Sequence, residues 1–355
     1  MKILLTSDCH IAAHKKSEQR LTDTINALKW IFQTAHERQI KHVIIAGDLF
    51  QDRAKIDIAA YHYTFDIFLE FGKNLEIYLL LGNHDLLHRL KCDITSVRPL
   101  SALSGVYVIG EPSTLLIGGY PISFLPYTID PAKDLKTIKN NSDFKLLIGH
   151  LAISGAKMNS LYHISDIVIE HDNEMTIVNT EVFDGWDQVF LGHYHQGQCI
   201  TNNVEYIGSP LELNFGEANQ QKHIIVFDME THEKEYVVNE FSPKHLILEP
   251  EEIDVYDLNG HFIRLEVDNL SAVELVEIRR KILDNYKVGS FSINKKQRNK
   301  DEDQQLMTQA ISHIIKHSEV IEEWIKHQKE LGETEGLDEN LLIEWGKKLQ
   351  HKVEK

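Results

Sequence analysis

A chain of 355 residues, 42% hydrophobic and 26% charged, can bury one large core with one or two small appendages. No run approaches the ~18 uninterrupted apolar residues of a spanning helix, and Asp8 interrupts the N-terminal apolar stretch before a signal-peptide core forms. The net charge of −17 excludes a chain-wide basic footprint for nucleic acid, so a polyanion must be met through a local patch or a partner, or the substrate is small.

The first 125 residues alternate strand and helix. After the run Ile3-Leu4-Leu5, the spacing of Leu21, Ile25, Leu28 and Phe32 predicts a helix within Ser17–Arg38. After Val43-Ile44-Ile45, Ile58, Tyr61, Phe65 and Phe68 predict another within Asp57–Gly72. This rhythm implies a largely parallel sheet. From about Val106 to Phe241 short strands dominate, including Thr114–Ile117, Ile122–Leu125, Val204–Ile207, His223–Phe227 and Glu235–Val238. They predict a second sheet packed on the first, an α/β sandwich. Past Ser242-Pro243 the composition shifts. A strand His261–Val267, a helix Ser271–Asp284 capped by Ser271 with Glu274 three residues on, and a strand Ser290–Asn294 predict a small α/β appendage. Beyond Lys300 polar amphipathic helices follow, with stripes running from Leu306 to Leu349.

Five apolar runs end abruptly in Asp, His or Asn: Ser7-Asp8-Cys9-His10, Gly47-Asp48, Gly82-Asn83-His84-Asp85, Gly149-His150 and Gly192-His193-Tyr194-His195. In layered α/β folds, ligands gather just past the carboxyl ends of such strands. Five clusters rich in oxygen and nitrogen donors point to one two-metal centre for phosphoester hydrolysis. A bridging carboxylate must hold two cations together, and Asp48 is the candidate. Asp8, His10 and His195 complete one ion; Asn83, His150 and His193 complete the other. Glycines before these clusters let each strand turn into its loop, and both His193 and His195 reach the centre only if the backbone there bends. The donor set favours manganese, then magnesium or iron, with zinc left open. Cys9, Cys92 and Cys199 show no CxxC spacing, which fits a reducing cytosol and argues against disulfides or a thiolate zinc site. A cytoplasmic location is expected.

The ordered set Asp8-x-His10, Gly47-Asp48, Gly82-Asn83-His84-Asp85, Gly149-His150 and Gly192-His193-x-His195 resembles the calcineurin-like metallophosphoesterase signature. Tyr206-Ile207-Gly208-Ser209-Pro210, then Asn214-Phe215-Gly216-Glu217, with Leu125-Pro126-Tyr127 and Gly47-Asp48-Leu49-Phe50, resemble the SbcD-type DNA exonuclease branch. The resemblance implies a four-layer α/β sandwich nuclease core over residues 1–241. It further implies a capping domain over 242–298 and, over 299–355, helices that bind an SMC-like coiled-coil ATPase of the SbcC type. It also implies DNA as substrate, two divalent ions on the seven residues above, and a metal-bound hydroxide as nucleophile. His84 would assist the leaving 3′ oxygen, Asp85 would orient His84, and Tyr206, Gly208 and Ser209 would contact nucleotide. A homodimer is a further expectation. Where many relatives carry His after Gly-Asp-Leu-Phe, this chain has Gln51, so a second imidazole there is missing. The basic run 294–300 could touch a DNA backbone. Two other readings stay open, a small-molecule phosphatase or phosphodiesterase and a non-catalytic scaffold.

Overall fold

The run Ile3-Leu4-Leu5 becomes strand Lys2–Thr6, inside a six-stranded sheet. On one side it pairs in parallel with His42–Ile45, followed by Glu76–Leu80 and Val106–Ile109, also parallel. On the other side the antiparallel hairpin His223–Asp228 and Lys234–Val238 completes the sheet. The computed structural model describes residues 1–13, 17–88, 91–157, 177–268 and 271–295. All but Lys295 belong to one unit, Met1–Asn294; Lys295–Lys355 is a second unit.

Both crossover helices start where side chains can cap them. Ser17 accepts the Arg20 N–H at 3.2 Å before helix Glu18–Glu37, and Asp57 accepts the N–H groups of Ala59 and Ala60 before helix Ile58–Phe71. They press Leu28, Ile31, Phe32, Ala60 and Phe68 against Leu4, Val43, Ile45, Ile77 and Leu79. Phe32 and Phe68 meet edge-to-face at 5.2 Å.

The alternate residues Ile3, Leu5, Ile44 and Leu80 face a second six-stranded sheet. Its order is Gln198–Cys199, Val204–Tyr206, Gln188–Gly192, Leu146–His150, Tyr120–Leu125, Ser113–Ile117. Phe124, Leu146, Ile148 and Phe190 fill the space between the sheets, while Leu125, Leu147, Val189 and Leu191 point outward. Short helices Pro131–Leu135 and Thr180–Phe183 help cover that outer face. Helix, sheet, sheet and outer cover form the four layers expected. One assignment differs: Val106–Ile109 and the 223–238 hairpin join the first sheet, not the second. Both sheets bury their central strands on two faces and leave their edges part-exposed, so strand composition does not distinguish them.

A separate sheet of His245–Leu248, Phe262–Val267 and Ser290–Lys295 carries helix Ala272–Asn285, which starts at a reciprocal Ser271–Glu274 capping box. Leu248, Ile253, Leu258, Ile263, Leu265 and Ile282 form its own core. Arg20, 1% exposed, joins it to the main body: its guanidinium stacks 4.6 Å from the Phe262 ring and donates to the Glu212 carbonyl at 2.7 Å. The amphipathic stripes from Leu306 to Leu349, residues 299–355 as a whole, and the basic run beyond Lys295 lie outside the described residues. No helix among the described residues is long and apolar enough to cross a membrane.

Candidate metal centre

The loops that follow five parallel strands, three in one sheet and two in the other, meet at a single edge of the sandwich. Asp8, His10, Asp48 and His193 adopt positive φ values of 52, 43, 54 and 108°. Each costs on the order of 1–3 kcal/mol unless its surroundings hold it there, and such strain collects at functional sites. Here the surroundings do hold it. Asp8 N–H donates to the Gly47 carbonyl and His10 N–H to the Asp48 carbonyl, both at 3.1 Å. His193 N–H reaches both oxygens of Asp8 at 3.1 Å, and His84 N–H reaches Asp48 Oδ1 at 2.7 Å.

Backbone closeness, more than turning, explains Gly192. A Cβ there would collide with Ser7 Oγ, the Ala46 carbonyl and His150 Nδ1, and the carbonyl is backbone that cannot shift cheaply. Gly192→Ala is expected to destabilise the protein by about 1–3 kcal/mol through overpacking. A lower urea midpoint at unchanged slope would register it; an unmoved midpoint would refute it.

The donors form three overlapping groups whose ligating atoms lie within 4.8 Å of one another: Asp8, His10 and His195; His10, Asp48 and His84; Asp48, His150 and His193. Asp48 Oδ2 stands between, 3.7 Å from His10 Nε2 and 3.4 Å from His150 Nε2. Asn83 Oδ1 lies 3.1 Å from His150 Nε2 and 3.0 Å from His193 Nδ1. All seven residues read as ligands are thus brought together. Two tautomers follow from the partners. His150 Nδ1 must donate to the Ala46 carbonyl at 2.7 Å, and His195 Nδ1 donates to the Glu217 carboxylate at 2.9 Å; each leaves Nε2 for the centre.

These residues fit a pair of divalent cations. His195 Nε2 and His10 Nε2 face each other at 3.0 Å, and buried His10 Nδ1 has no hydrogen-bond partner. Nitrogen lone pairs so opposed need a proton or a cation between them. The protonation pattern carries the same demand. Burial pushes Asp8 up. Asp48 lies well below the carboxylate range because, against burial, His150, His10 and His84 favour its charge. Burial also opposes charge on His150, yet Asp48, Asp8 and the Ala46 carbonyl lift it to about 9. Burial and then His150 force His193 down to about 3. Burial and then His195 push His10 down as well, so the imidazoles divide, with His150 holding its proton and His10 and His193 keeping bare nitrogens.

Two expectations about neighbouring residues need correction. Asp85 does not orient His84. Its carboxylate accepts the N–H groups of Asp48, Leu49 and Gly82 at 2.9, 3.1 and 2.9 Å, fastening two ligand loops together. Burial, then the charge of Asp48, raises it to about 7. The partner of His84 Nδ1 is the Gln51 carbonyl, at 2.6 Å. Tyr206, Gly208 and Ser209, the expected nucleotide contacts, lie inward. Tyr206 is fully buried and donates to the Leu151 carbonyl at 2.8 Å; Ser209 is 1% exposed; a Cβ at Gly208, φ +80°, would strike Gly197. They brace the loop that carries His195. The residue missed was Glu217, which lay within a recognised stretch but offered no sequence signal of its bond to His195.

The calcineurin-like phosphoesterase family model matches residues 1–197. Among curated proteins, the chain is similar to exonuclease subunit 1 of Enterobacteria phage T4, 26% identical over 288 residues, covering 77% of this chain and 80% of that protein. It is similar to the SbcD component of nuclease SbcCD from Staphylococcus epidermidis, 27% identical over 262 residues, covering 66% and 67%. With the SbcD component of the same nuclease from Escherichia coli K12 it is 24% identical over 275 residues, covering 64% and 65%.

Proposed function

This chain belongs to the calcineurin-like phosphoesterase family, and from that premise we propose that it is a two-metal DNA nuclease subunit. The observation that carries the reading is the convergence of seven oxygen- and nitrogen-donor residues, with Asp48 at their centre. In this reading Asp8, His10, Asp48 and His195 hold one ion, and Asp48, Asn83, His150 and His193 the other, with manganese first among the candidates. The ions supply Lewis acidity, neutralising phosphate charge and activating water near neutral pH. His84 gives the proton to the leaving 3′ oxygen. Its Nδ1 is fixed on the Gln51 carbonyl, so Nε2 is the atom that transfers it. Asp85 holds the Asp48 and Gly82 loops in register.

DNA as substrate rests on the likeness to proteins named exonuclease and nuclease. Their designation as subunits supports a partner; we assign residues 299–355 to binding an SMC-like ATPase, 242–298 to a cap and 1–241 to the nuclease core, with a homodimer as the assembly. Manganese-dependent cleavage of linear duplex DNA, or of single-stranded circles, tests the reading. His84→Ala is expected to lower kcat about 10²–10⁴-fold, the range for a lost general acid. No cleavage by the wild type, or undiminished cleavage by the variant, would refute it. The net charge of −17 favours a rival, a phosphodiesterase for small molecules. DNA that competes for turnover of an aryl phosphodiester, with competition falling steeply in salt, decides for the nuclease.

A further inference from the structure

We infer that Glu217 and Lys222 are positioning residues that hold the His195 imidazole on the ion it shares with Asp8 and His10, an inference that rests on the two-metal reading. Glu217 and Lys222 are 1% and 2% exposed. Glu217 Oε1 accepts from His195 Nδ1 at 2.9 Å and from Asn214 Nδ2 at 2.8 Å. Its Oε2 accepts from Lys222 Nζ at 2.7 Å, Leu213 N at 3.1 Å and Ser209 Oγ at 3.3 Å. Lys222 Nζ also donates to the His195 carbonyl at 2.8 Å, to Ser209 Oγ at 3.0 Å and to Gln220 Oε1 at 3.0 Å. The histidine is therefore gripped at both ring and backbone by one buried ion pair.

A buried ion pair contributes little net stability, because desolvation offsets the attraction, so its value here lies in geometry. The contrast within the site is informative. His10, the other imidazole of that ion, has an unpartnered Nδ1. His150 is fixed by a backbone carbonyl. His195 alone among the described imidazoles of the centre is held at Nδ1 by a charged side chain, and the same loop leads to the small sheet. Glu212 accepts the His245 N–H at 2.5 Å, and its carbonyl takes the Arg20 guanidinium stacked on Phe262. The grip on the ligand and the anchor of the small sheet are thus five residues apart.

Removing Glu217 alone would strand a buried ammonium, so the neutral pair Glu217→Gln/Lys222→Met is the informative variant. Manganese is titrated into the metal-free full chain against a fluorescent chelator. The pair variant is expected to bind one ion about 10–100-fold more weakly, the usual cost of losing such an orienting partner, and the other ion as before. In a His195→Gln background the pair substitutions should bring little further loss, since the pair acts through that ring. Wild-type affinity for both ions, or losses that add to those of His195→Gln, would overturn the inference. If the pair variant does not fold, Glu217→Asp, which keeps the charge but shortens the reach, is read by the same two criteria. A wild type that binds fewer than two ions instead overturns the metal reading beneath it.

Discussion

Replacing Asp48 by Ala is expected to lower kcat about 10³-fold or more, at the upper end of what loss of one preorganised electrostatic element costs. Asp48 alone among the three donor groups stands between His10 and His150. Oδ2 lies within 4 Å of both His10 and His150, from opposite halves of the site, and Oδ1 takes the N–H of His84. Its negative charge also helps hold His150 as a cation against burial, and is the chief influence doing so. Without it, the ion assigned to Asn83, His150 and His193 has no anionic ligand, and two cations so close would repel one another. The fold should survive, because Asp85 fastens the loop through the backbone N–H groups of residues 48 and 49, which alanine retains. Initial rates at saturating manganese on linear duplex DNA, with manganese counted on the purified variant, give the result. A rate within about tenfold of wild type, with both ions bound, would dismiss Asp48 as the bridge.

The strand ends were legible in the sequence because burial on two faces leaves continuous apolar runs, and an Asp, His or Asn closing such a run stands out. Helix starts were legible for a local reason: Ser17, Asp57 and Ser271 meet their N–H partners within a turn. What failed depended on distance or direction. The 223–238 hairpin could pair with either sheet, and only the contacts of Ile225 and Phe227 with the first sheet's strands settle which. Asp85 follows His84 directly, which suggested a partnership. The turn that bonds Asp85 N–H to the Gly82 carbonyl instead sends its carboxylate back among the loop amides. Tyr206 and Ser209 have side chains as common at surfaces as in polar interiors, so residue type could not reveal burial. Glu217 lies 22 residues from its histidine partner, and nothing local announces the pairing.

Manganese should raise the thermal midpoint, and the rise should grow between pH 6.5 and 8. In the metal-free fold the Asp48 and Asp8 charges and the Ala46 carbonyl, against burial, lift His150 to about 9 from an ordinary 6.5. A raised basic group contributes its stability fully below pH 6.5 and loses it as pH climbs through 9. Asp85, raised to about 7 from 3.8, loses stability as pH rises between those two values and so adds to the decline only up to about pH 7. His193, forced down to about 3, acts oppositely and withdraws stability below pH 6.5, where the unfolded chain takes up the proton first. With His150 as a ligand, a divalent ion would take the place of the proton on Nε2, so binding would release protons across this window and strengthen as pH rises. At 100 times its dissociation constant one ion adds about 2.7 kcal/mol. At roughly 2–4 °C per kcal/mol for a domain of this size, that is a rise of about 5–10 °C. Calorimetric scans with and without manganese at each pH, reversed by chelator, would measure it. A midpoint difference that stays flat across the window would mean that His150 gives up no proton to the metal. It would then lie outside the ligand set, whatever its distance from Asp48.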